Sequence, residues 1–110
     1  MEFEEFIEAT CTILEEDGFA SFLPTLWVGE EILVVDGIPE SVSDTDALND
    51  MGPEHGLGEL GSFFAVRTEP EVVVAGECRA EGWRFMQIRP GNEGLAVTPV
   101  ARPAWFRVEA

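Results

Sequence analysis

The stretch "SFFAVRTEPEVVVAGECRAEGWRFMQIRPGNEGLAVTPVARPAWFRVE", residues 62–109, decides the fold. Five runs rich in β-branched and aromatic residues, "SFFAVRT", "EVVVAGECR", "WRFMQIR", "LAVTPV" and "WFRVE", alternate with the separators "EP", "AEG", "PGNEG" and "ARPA". Every separator carries Pro or Gly, which interrupt strands, and each is short enough to reverse the chain as an antiparallel hairpin. The pattern predicts a meander of four or five consecutive strands.

Upstream, "GPEHGLGELG" (52–61) holds four glycines in ten residues and reads as a loop. Before it, "ESVSDTDALNDMG" (40–52) predicts a short helix with Ser43 or Asp44 as N-cap, Ala47, Leu48 and Met51 turned inward, and Gly52 as the stop. "SFLPTLWVG" and "EEILVVDG" read as two strands joined through Gly29 and Glu30, a hairpin. Pro24 either places the first of them at a sheet edge or confines it to the residues that follow.

Residues 3–16 fit an amphipathic helix. Phe3, Phe6, Ile7, Thr10, Ile13 and Leu14 fall on one stripe at helical spacing, and Gly18 suits the position just past the end. Glu5, Glu8, Thr12 and Glu16 lie opposite. Like-charge neighbours such as Glu4/Glu8 and Glu5/Glu8 each cost about 0.2–0.5 kcal/mol, so packing of the stripe must hold the helix. The expected architecture is α+β: an N-terminal amphipathic helix on a mainly antiparallel sheet, built from the first hairpin plus a four- or five-strand meander, with one short second helix. All 110 residues are expected to form a single domain.

Hydrophobic residues make up 45% of the chain, with eight Phe and three Trp, enough for a core and too many for a disordered acidic tail. The apolar runs "ILVV" and "VVVA" are too short to span a bilayer. The N-terminus has no basic region of the secretory kind, so a cytoplasmic location is expected. Cys11 and Cys78 are compatible with a disulfide, but that location favours free thiols.

The charge is segregated. Residues 1–66 carry 16 Asp or Glu and no Lys or Arg, whereas residues 67–110 carry six Glu and six Arg. The whole net charge of −16 therefore belongs to the first segment. Such a field repels nucleic acid and anionic membranes, and neither is expected as a partner.

Chemistry-bearing residues are sparse. His55 is the only histidine; with Glu54 and Glu59 nearby it follows no metal-ligand spacing, and a solvated loop histidine is the simpler reading. Cys11 and Cys78 lie beside no recognisable nucleophile motif and read as small packing residues. "GLGELG" lacks the Lys-Ser/Thr of a phosphate loop. No metal, cofactor or catalytic residue is assigned, and the chain reads as a non-enzyme. On the strand "WRFMQIR", Trp83, Phe85, Gln87 and Arg89 share one face, opposite Arg84, Met86 and Ile88. Trp83, Phe85 and Arg89 are candidates for a sheet-face interface, because Trp and Arg are enriched at binding hot spots. The competing reading packs these aromatics in a core beneath the helix, with arginine stems on its rim.

The sequence thus predicts a small acidic protein-binding module, of inhibitor, immunity or chaperone type, showing Glu5, Glu8 and Glu16 to a basic protein partner. The alternative is a structural or oligomerising subunit, for example of a phage or secretion assembly, whose mixed sheet face forms a homodimer. A small-molecule binder using the aromatic face is less favoured.

Overall fold

The computed structural model describes residues 1–109 and contains two helices and one six-stranded antiparallel sheet, an α+β fold. Helix α1 (Phe3–Asp17) is followed by strands β1 (Thr25–Val28) and β2 (Glu31–Val34), helix α2 (Asp44–Met51) and a single 3-10 turn at Pro53–His55. The meander is β3 (Phe63–Glu69), β4 (Val72–Arg79), β5 (Gly82–Gly91) and β6 (Gly94–Val100). Strand order is β2-β1-β3-β4-β5-β6, so the first hairpin extends the meander as the sequence predicts.

Local chemistry accounts for the turns. Gly29 and Glu30 both take positive φ (57° and 67°), the signature of the type I′ turn that matches strand twist in a two-residue hairpin. Glu30 bears the strain that glycine avoids at its neighbour. Pro24 precedes β1, whose first residue is Thr25; the strand begins after the proline and is central rather than at an edge. Ser43 caps α2, its Oγ accepting the Asp46 N–H at 3.2 Å.

The sheet is covered on both faces. On the first, Phe3, Phe6, Ile7 and Leu14 of α1 pack against Phe63, Ala65, Val73, Ala75 and Ile88. Ala65 and Ala75 are directly paired across β3 and β4, and their small side chains leave room for the phenylalanines above. Thr10 sits within the buried stripe because its Oγ1 donates to the Phe6 carbonyl at 2.8 Å.

On the second face, Leu48 of α2, Leu57 and the C-terminal Phe106 and Val108 cover Leu26, Phe64, Val66, Val74 and Phe85. Phe64 is the hub, stacked on Phe106 with centroids 5.0 Å apart and meeting Trp83, Phe85 and Trp105 edge-on. Gly76, opposite Phe64, has no Cβ because the Phe64 ring occupies that space.

Three expectations are corrected. "WFRVE" (105–109) is not a strand: the meander ends at Val100, and the tail crosses the second face in irregular conformation. Its backbone is satisfied by a side chain instead of a ladder. Asn49 of α2 donates from Nδ2 to the Trp105 carbonyl and accepts the Arg107 N–H at Oδ1, both at 2.8 Å. Arg102 adds bonds to the Phe106 and Val108 carbonyls at 3.3 and 3.2 Å. Ile13 is 44% exposed instead of buried, since α1 runs from β5, where Arg84 lies over Phe3, to the sheet edge, where short β2 covers Ile13 incompletely. Met51 is likewise exposed at the last turn of α2, where only Ala47 and Leu48 face inward.

Candidate protein-binding surface

The outward face of α1 presents Glu5, Glu8 and Glu16, all exposed. They point outward because the buried stripe fixes the helix's rotation about its axis. The three are not equivalent. Glu5 also caps the helix, its Oε1 accepting the Glu2 N–H at 2.9 Å. This is the reciprocal half of a capping box built with Glu where Ser or Thr is usual, a disguise that hid it in the sequence. Glu8 and Glu16 make no side-chain hydrogen bond or ion pair among the described residues.

The arginines do little to quench the acidic segment. Among the described residues, only Glu4 and Asp46 of the sixteen acids before Arg67 meet an arginine, Glu4 with Arg84 at 3.7 Å and Asp46 with Arg107 at 3.5 Å. Both pairs are largely exposed and contribute at most about 1 kcal/mol each. Arg84 is shared with Glu77 at 3.7 Å, and Arg79 turns to Glu81, also at 3.7 Å. Burial, opposed by Arg84 and Arg79, raises the Glu77 carboxyl above its ordinary value.

The candidate sheet-face residues separate. Phe85 is buried against Phe64 and Phe106, so it offers nothing to a partner in this arrangement. Trp83 is half-buried in the same cluster, and its indole N–H is shielded without a hydrogen-bond partner. Arg89 is exposed at the far end of β5. These aromatics do form core, but beneath the tail and α2, not beneath α1.

Neither thiol is activated. Burial, then Glu15 and Glu8, raises Cys11; burial, then Glu77, raises Cys78, whose Sγ donates to the Gly58 carbonyl at 3.2 Å. The two cysteines are unpaired. His55 lies exposed in the 3-10 turn, and among the described residues no group of three or more His, Cys, Asp or Glu is placed to hold a metal ion. No described helix is long and apolar enough to cross a membrane.

The strand expected in "EEILVVDG" forms as β2, but sequence reasoning singled out none of its residues as surface: β2 is an outer strand with every residue exposed, a place in the sheet that no local pattern marks. No protein-family model, curated protein or solved structure matches this chain.

Proposed function

We propose that this chain is a non-enzymatic protein-binding module, of the inhibitor or chaperone kind, that offers a negative surface to a basic protein partner. One observation carries the reading. A segment with sixteen acids and no Lys or Arg is folded so that only two of them meet an arginine, among the described residues. Concentrated, unneutralised charge weakens a fold through self-repulsion, and it speeds encounter with a surface of opposite sign. The protonated state favoured at Cys11 and Cys78 supports a role without nucleophilic chemistry.

With a partner isolated by pull-down, the association rate should fall as ionic strength rises, because salt screens steering between exposed charges. Glu8→Lys combined with Glu16→Lys should lower that rate without lowering the melting temperature, since both changes relieve like-charge repulsion or the unfavourable charge at the negative end of the helix dipole. Glu5 is left intact because it caps α1. An association rate indifferent to both salt and these reversals overturns the proposal.

A second reading, a self-associating subunit, has one observation in its favour. The edge strand β6 has no charged side chain from Leu95 to Val100, so pairing there would escape the repulsion between acidic segments. Sizing at low concentration separates the two: a stable homodimer favours the subunit.

A further inference from the structure

The hairpin fixes which backbone groups of β2 are engaged. Val35 donates its N–H to the Pro24 carbonyl at 2.8 Å, and antiparallel pairs alternate between bonded and non-bonded. Glu31 and Leu33 are therefore the residues bonded to Val28 and Leu26, while the N–H and C=O of Ile32 and Val34 point away from β1, with no strand beyond. Ile32 and Val34 are 56% and 49% exposed. They stand opposite Trp27 and Thr25, on the face that α1 covers. A groove of about 170 Å³ runs there between Ile13, Phe22, Leu23 and Val34, with Asp17 on its rim. Exposed apolar edges of this sort are normally guarded, because they template pairing with another chain.

The opposite edge is guarded at one position only. In β6 the outward positions are Leu95, Val97 and Pro99, and Pro99 has no N–H to offer. The guard on β2 is of another kind: Glu30 and Glu31 at one end and Asp36 at the other, all exposed. Antiparallel self-pairing that matches Ile32 with Val34 sets Glu30 against Asp36 twice and joins two chains of charge −16 each. The same acids attract a cationic strand.

We infer that β2 is a docking edge, taking an extended segment of a basic partner polypeptide as a further strand of the sheet. Alternate apolar side chains of that segment cover Ile32, Val34 and the Ile13 groove. Its cations, turned to the opposite face, meet Glu31, with Glu30 and Asp36 beyond the two ends of the strand. The inference rests on the basic-partner reading and adds the place and geometry of contact.

The probe is a synthetic heptapeptide in which valine alternates with lysine and arginine, titrated into the full chain at low salt and followed by amide NMR. Ile32 and Val34 amides should shift and gain protection from exchange, and an analogue with glutamate replacing the cations should produce neither effect. Val34→Pro removes one outward donor without touching the hairpin ladder and should weaken binding about tenfold. Should that variant lose its native spectrum, Ile32→Lys, which repels the peptide, should give at least the same loss. Salt-sensitive binding that leaves Ile32 and Val34 unchanged overturns the docking edge while the acidic-surface reading survives. Protection at Val97 instead, or no binding at low salt, also overturns it, and the acidic surface then stands or falls on the partner's own salt dependence. A concentration-dependent homodimer lost on Val34→Pro assigns the edge to a second copy and overturns the basic partner.

Discussion

The two faces of the sheet are closed in different ways. The first lies under a fifteen-residue helix whose own backbone hydrogen bonds are internal, so α1 needs only an apolar stripe to dock. The second lies under a two-turn helix and a tail without regular structure, and the tail's backbone depends on Asn49 and Arg102. A cover made of regular structure is held by packing; a cover made of loop must also be tied, because buried backbone groups need partners. The acidic surface belongs to the first cover, and the aromatic hub belongs to the second.

The largest expected effect is at the hub. Phe64→Ala should cost about 3–5 kcal/mol in denaturant unfolding, because four aromatic rings lose their common contact. Gly76→Ala should cost about 1–3 kcal/mol by forcing the Phe64 ring aside, and should become nearly harmless once residue 64 is alanine. Leu14→Ala, on the first face, should cost about 2–5 kcal/mol. If Phe64→Ala left stability unchanged while Leu14→Ala did not, the second cover would be an ornament on a one-faced core.

Asn49 sharpens the contrast. Replacing it with Ala should cost about 1–3 kcal/mol and, by amide exchange, expose residues 105–107 before the sheet opens. Equal protection of tail and sheet in that variant would mean that packing of Phe106 alone holds the tail.

The first face carries a pH signature. Glu77, opposite Arg84 and near Glu4, is raised chiefly by burial, so the folded state binds its proton more tightly than the unfolded state does. Its contribution to stability is therefore greatest in acid and is lost as pH rises through the folded value, which burial holds above the ordinary one. Glu77→Gln should remove that decline. The difference between variant and parent melting temperatures, measured from about pH 4 to 7, should become more positive with pH; a difference that stays flat or falls contradicts the assignment.

The smallest effect expected is at Glu16. Exposed in the last turn of α1, where no basic residue answers the negative end of the dipole, it should gain about 0.3–1 kcal/mol as Glu16→Lys. Stability raised together with partner association slowed would mark a residue kept for binding at the expense of the fold. A destabilised variant would show that Glu16 has a structural partner.

Period and punctuation made much of this fold legible. The stripe from Phe3 to Leu14, the Gly29-Glu30 turn and the Pro- and Gly-marked separators of the meander each report on neighbours in sequence, where local sterics act. The strand order follows from them because consecutive antiparallel strands joined by tight turns must lie side by side. The sequence by itself also determined the charge segregation and, through the buried stripe, that Glu5, Glu8 and Glu16 face outward. Tertiary structure alone decided what lay beyond local rules. "WFRVE" alternates like a strand, but its backbone found Asn49, more than fifty residues earlier, so no ladder formed. Trp83 and Phe85 became core because that tail covers them. "ILVV" has the composition of a buried strand, yet it lies at the edge because nothing follows β2 in the sheet. Hydrophobicity states what a residue gains from being covered; only the assembled sheet determines whether a cover arrives.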